Sequence, residues 1–112
     1  MKYASLLLAS VAICLSLSGC SKDPISMEES LDIAELSQDA DTYKNEFALA
    51  IQDLSTKDGC QAEVMREGGG FSRVTGDSFY FLYCGKPINT SSRWYYDPAN
   101  GKLSQDKSEL RG

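Results

Sequence analysis

Apolar and polar positions divide the chain into three regimes. From Tyr3 to Leu17 the chain is apolar apart from Ser5, Ser10 and Ser16. Further on, apolar residues recur at alternating steps of three and four: Ile33, Leu36, Ala40, Tyr43, Phe47, Ala50 and Leu54, with Ile51 widening the band. That period lines one face of a helix and predicts one over residues 30–56. Ser26-Met27-Glu28-Glu29 has the S-x-x-E form of a capping box, so helical structure is expected to begin there. Ser37-Gln38-Asp39 and Asp41-Thr42 are poor helix formers, and Met27, Leu31 and Ala34 fall off the main band. One long helix and a helix broken in two both fit this pattern.

Past Gly59 the period becomes two. Cys60 to Arg66 alternates, with Cys60, Ala62 and Val64 on one side, and reads as a strand. Ser78 to Cys84 is rich in aromatic strand formers, and Ser91 to Tyr96 predicts another strand. Asp97-Pro98-Ala99-Asn100-Gly101 predicts a tight turn, with Lys102 to Ser104 returning as a short edge strand. The polar tail, residues 105–112, is expected to fray.

The first regime is a targeting pattern. Lys2 supplies a positive start, and the apolar run is shorter than the roughly 20 residues of a membrane span. Small residues Ser18 and Gly19 follow, so residues 1–19 read as a signal peptide. Leu17-Ser18-Gly19-Cys20 resembles the lipobox of bacterial lipoproteins. The resemblance implies cleavage before Cys20, a diacylglyceryl group on its sulfur and usually an acylated amine. Several acyl chains anchor stably where one binds marginally. Ser21 takes the place where an Asp tends to retain Gram-negative lipoproteins at the inner membrane. For a Gram-negative source this implies an outer-membrane anchor with the domain facing the periplasm. Residues 20–25 then form a lipidated tether, and residues 26–112 a single small domain.

Cys14 leaves with the signal, and lipidation would consume Cys20. Cys60 and Cys84 remain, in an oxidising compartment, as the expected disulfide. Closing a loop of about 25 residues contributes roughly 3.5 kcal/mol in the chain-entropy model, before strain. The bond also constrains topology, because bridged Cα atoms lie within about 7 Å. If the strand at 60–66 pairs directly with 78–84, Cys60 faces Cys84. Residues 67–77 are then a long Gly-rich loop at the far end of a hairpin.

Charge is lopsided. Residues 23–58 carry ten acids against Lys44 and Lys57, while residues 59–112 carry six acids and seven bases. No basic footprint for nucleic acid is present, and the acidic half reads as a solvated helix face. The chain has no histidine, and its cysteines are accounted for, which leaves no expected catalytic or metal site. Glu67-Gly68-Gly69-Gly70-Phe71-Ser72 lacks the pattern of a phosphate loop. No cofactor is expected beyond the covalent lipid on Cys20, and no enzymatic activity.

The strand at 78–84 is apolar on both faces: Tyr80, Leu82 and Cys84 on one, Phe79, Phe81 and Tyr83 on the other. The following strand adds Trp94 and Tyr96 to one side and Tyr95 to the other. One helix covers one face of a small sheet. The second face is either covered by residues 26–36, the Gly-rich loop or the tail, or it remains a binding surface. Phe79, Phe81, Tyr83, Trp94 and Tyr96 are the candidate binding residues. The expected fold is α+β: an N-terminal helix, whole or broken, on a three- to four-stranded antiparallel sheet with one disulfide. The plan is similar to that of small envelope lipoproteins with a helix-then-meander order, including outer-membrane assembly accessory lipoproteins. Their helical signature motif is absent, so no function or residue is carried across. Two functions fit: a non-catalytic module binding an envelope protein through the aromatic strands, or an inhibitor or exclusion factor acting through loop 67–77. The pattern does not fix an oligomeric state.

Overall fold

The computed structural model describes residues 23–111, so the expected signal peptide and Cys20 lie outside the described residues. Helix α1 spans Met27–Ala34 and α2 Ala40–Leu54. Short helix α3 spans Ala62–Glu67; strands follow at β1 Ser72–Arg73, β2 Tyr80–Tyr83, β3 Arg93–Asp97 and β4 Lys102–Ser104, and helix α4 at Ser108–Arg111. The strands form one antiparallel sheet in the order β1-β2-β3-β4. The α+β expectation therefore holds, with the Cys60–Cys84 disulfide formed across a sequence separation of 24.

The helix is broken in two. Ser26 caps α1, its Oγ accepting from the Glu29 N–H at 3.1 Å. At the break Asp39 takes a left-handed backbone (φ 62), and Tyr43 interrupts the helical dihedrals inside α2. The break removes Leu36 from the predicted apolar band: it is 52% exposed, whereas Ile33, Phe47 and Leu54 are fully buried. Polar residues of the break serve the sheet instead. The Gln38 N–H donates to the Phe71 carbonyl at 2.9 Å, and Ser37 Oγ accepts the Phe71 N–H at 2.8 Å. Gln38 Oε1 accepts the Arg73 N–H at 2.8 Å. Residues 37 and 38 thereby satisfy part of the outer edge of β1, which an open strand would leave to water or to another chain.

Two expectations are corrected here. Residues 60–66 do not form a strand: α3 occupies most of that span, burying Val64 and Met65. The disulfide is met by α3 turning in beside the end of β2, where the Gln61 N–H donates to the Cys84 carbonyl at 2.7 Å. An extra strand at 71–75, between strands at 60–66 and 78–84, would have set Cys60 and Cys84 at opposite ends of the sheet; with no strand at 60–66 that objection falls. Ser72 and Arg73 pair with Phe81 and Tyr80. Residues 67–77 are accordingly not a long free loop. Gly70 has φ 71, and a Cβ there would strike Ser37 Oγ and come within 2.9 Å of the Ile33 carbonyl oxygen. Phe71, next along, is fully buried.

The main core lies between the helices and one sheet face. Phe47 is its centre: its ring lies 4.7 Å from Phe71, 5.0 Å from Tyr80 and 6.2 Å from Tyr96. Ile33, Ile51, Leu54, Met65 and Leu82 complete the dry interior. Acidic residues of α1 and α2, including Glu28, Asp32, Asp41, Glu46 and Asp53, are exposed, as a solvated helix face requires. The turn at Asp97–Gly101 forms as expected, the Asp97 carbonyl accepting from the Gly101 N–H at 2.8 Å. The tail expectation is corrected: α4 forms, with Leu110 6% exposed and Arg111 paired to Asp77 at 2.6 Å. Leu110 supplies the apolar contact that turns a polar tail into a docked helix.

Candidate functional site

Antiparallel pairing decides which aromatic residues share a face. Tyr80 lies opposite Tyr96 and Leu82 opposite Trp94; Phe81 lies opposite Tyr95 and Tyr83 opposite Arg93. The first set meets the helices, and the second forms the outer face. The candidate binding residues are thus divided. Tyr96 is 5% exposed in the main core, its hydroxyl donating to the Glu46 carbonyl at 3.3 Å. Burial, with the nearby Glu46 and Asp97, raises its pKa. Trp94 is half-buried against the same core, with Lys57 Nζ 5.6 Å from its ring. It lines a groove of about 220 Å³ beside Cys84, Lys86 and Pro87. Phe79 is on the outer face but is only 6% exposed, packed with Val74, Tyr95 and Leu110. A continuous exposed surface of all five residues therefore does not form.

Phe81 and Tyr83 remain, both half-buried on the outer face. Their rings meet edge to face at 5.5 Å, and Phe81 also lies 6.4 Å from Tyr95. Leu110 of α4 belongs to the cluster that Phe81 packs against, and Gly68 at the end of α3 lies against the Tyr83 ring, so both residues are covered in part. The Arg93 guanidinium lies across them, its carbon 3.9 Å from the Phe81 ring centre and 5.5 Å from that of Tyr83. Its Nη2 donates to the Tyr83 hydroxyl at 3.2 Å. Burial opposes its charge, but the Tyr83 and Tyr95 hydroxyls outweigh that, so its pKa lies above the usual arginine value. Arg93 is the functional candidate that the apolar pattern missed. Its signal was an arginine set among aromatic strand residues.

A second polar cluster is structural. Asp39 Oδ2 accepts from Tyr80 Oη at 2.6 Å and from Arg73 Nη2 at 2.5 Å. The Tyr80 hydroxyl and the Arg73 guanidinium lower the Asp39 pKa; burial and Asp39 raise that of Tyr80. These bonds hold the left-handed turn between α1 and α2 against β1. Elsewhere, the chain just before α1 is fixed. The Ile25 N–H donates to Ser55 Oγ, and its carbonyl accepts from Gln52 Nε2, each at 3.0 Å. Among the described residues no cluster of acids or cysteines could hold a metal ion, and no helix is long and apolar enough to cross a membrane.

The fold and the site define a small disulfide-linked α+β domain with one aromatic sheet face only partly covered. No family model, curated protein or solved structure matches the chain.

Proposed function

We propose that the chain is a lipid-anchored protein of the cell envelope whose domain is a non-catalytic protein-interaction module. For a Gram-negative source the anchor sits in the outer membrane and the domain faces the periplasm. The lipobox-like Leu17-Ser18-Gly19-Cys20 supports the anchor. The fixed Ile25 supports a short tether: from Cys20 the free chain reaches at most about 17 Å, so the domain stays beside the bilayer. The observation that carries the interaction role is the half-buried Phe81–Tyr83 pair with Arg93 laid over it. Aromatic residues and arginine are the side chains that most often anchor protein interfaces. Residues 71–74 are tied into the sheet and core, which supports the interaction role over a plug formed by residues 67–77.

Two measurements test the proposal. Intact mass spectrometry of the processed chain is expected to show acylated Cys20 as the first residue, and Cys20→Ser to release the protein from membranes. Affinity capture with the anchor retained is then compared with a Phe81→Ser, Tyr83→Ser variant of unchanged thermal midpoint. The variant is expected to lose the captured protein. Identical capture by both would remove the outer face from the account.

A further inference from the structure

Among the described residues, three of the four arginines are paired with carboxylates. Arg66 meets Glu29 at 3.5 Å, Arg73 meets Asp39 at 2.5 Å and Arg111 meets Asp77 at 2.6 Å. Arg93 has no carboxylate partner. It is held by the Phe81 ring beneath it and the Tyr83 hydroxyl beside it, and its Nε is buried without a hydrogen-bond acceptor. A guanidinium carries five N–H donors in a rigid fork that matches a carboxylate. The Tyr83 and Tyr95 hydroxyls take part of that capacity and Nε is buried, which leaves the remaining Nη N–H groups for an incoming carboxylate, and the Phe81 ring 3.9 Å away already holds the guanidinium in place. Part of the ordering entropy that binding would otherwise cost is therefore already spent in the fold.

We infer that the outer sheet face is a receptor for an acidic segment of a protein partner, with an Asp or Glu carboxylate on Arg93 and a neighbouring apolar side chain on Phe81 and Tyr83. This rests on the interaction role proposed above and adds the chemistry of the partner. Charge complementarity selects that chemistry. The chain is acidic overall, at −5, but its acids are concentrated on α1 and α2, which pack against the opposite face of the sheet. The outer face thus presents an uncompensated cation on an apolar ground. An anionic lipid surface is a poorer match, because membrane recognition draws on clusters of several basic residues and this face presents one unpaired arginine. A carboxylate bound here would sit beside aromatic rings that exclude water, where a charged hydrogen bond counts for more than at an open surface.

The test uses the full processed chain, in lipid nanodiscs, as target for a displayed library of random heptapeptides. The expected selection is enriched in Asp or Glu next to an aliphatic or aromatic residue. Binding of a selected synthetic peptide should weaken about ten- to a hundredfold in Arg93→Gln, consistent with the loss of a charged hydrogen-bonded pair. Arg93→Lys, which keeps charge without the fork, should fall between. Lys44→Gln, on α2 on the helix side, where it pairs with Glu35, should bind as wild type. Thermal midpoints and near-ultraviolet circular dichroism of each variant separate lost binding from lost fold. Should Arg93→Gln not fold, blocking of binding by the conservative Phe81→Leu and by rising salt serves as the readout. Peptides that compete at Phe81 yet lack acids and ignore Arg93→Gln would overturn the carboxylate inference and leave the interaction role standing. Selection of no peptide sensitive to Phe81→Ser would overturn both. Arg93-dependent binding of phosphatidylglycerol vesicles without acidic peptide selection would assign the face to lipid and overturn the choice of a protein partner.

Discussion

The two faces of the same sheet differ more than their sequences do. On the helix side, Phe47, Phe71, Tyr80, Leu82 and Tyr96 interlock with almost no exposure. On the outer side, Val74, Phe79, Tyr95 and Leu110 make a small cluster under a four-residue helix, while Phe81 and Tyr83 stay half-buried beneath Arg93. Strand β2 supplies aromatic residues to both. Apolar character alone therefore does not mark a core: what matters is how much chain the fold has left to lay over each face. After two helices on one side, only the short α4 and the end of α3 at Gly68, which lies against Tyr83, reach the other. The helix side carries stability, and the uncovered part of the outer side is free to carry recognition.

That division can be broken by substitution. The largest effect is expected for Phe47→Ala, which empties the centre of four packed rings and should cost about 3–5 kcal/mol in denaturant unfolding. Gly70→Ala should rank close behind, roughly 3 kcal/mol or more, because it combines a positive φ with a clash against the Ser37 turn. Removing both Cys60 and Cys84 should cost roughly 2–5 kcal/mol, checked by the same unfolding curves under oxidising conditions. On the outer face the expectation reverses. Tyr83→Ser should cost less than the core substitutions, about 1–2 kcal/mol, since the side chain is only partly buried, while its effect on partner capture should be large.

A pH titration sharpens the contrast within the helix side. The pKa of Asp39 is held below its ordinary 3.8 by the Tyr80 hydroxyl and then by Arg73. Its folded pKa is depressed, so its contribution to stability is complete above pH about 3.8 and is lost as pH falls toward the lower folded value. Wild type should lose stability more steeply than Asp39→Asn over that acid range. Equal slopes in acid unfolding curves would show that the Asp39 cluster does not hold the turn.

Much of the helix side was legible in the sequence. The Ser26 cap, the alternating three-four spacing and the weak residues at 37–39 together describe the two helices and their break. The turn at Asp97–Gly101 and strand β4 were equally plain, because proline and glycine chemistry is local. The region from Cys60 to Phe71 was misread for a physical reason. Ala62, Val64 and the residues between alternate over too few positions to separate a strand from a single helical turn. The disulfide does not separate the two cases, since a bond that two strands could satisfy is met by a helix instead. The role of Ser37 and Gln38 as an edge for β1 was invisible, because it depends on residues more than thirty positions away. Leu110 gave too small an apolar signal to predict a docked tail. The candidate site was half legible: the double-faced β2 was clear, but register alone decides that Phe81 and Tyr83 share a face with Arg93 and not with Trp94.

The most direct measurement places a photo-crosslinking phenylalanine at position 83 on the outer face, and at position 49 on the exposed side of α2, in the full chain within native membranes. Leu49 is 59% exposed, so the two probes compare an open helical surface with the aromatic sheet surface. A discrete protein adduct from position 83 that is absent from position 49, and that disappears with Arg93→Gln, is the predicted result. Adducts of equal yield from both positions, or none from position 83, would contradict the claim that the uncovered half of the sheet is where this protein meets its partner.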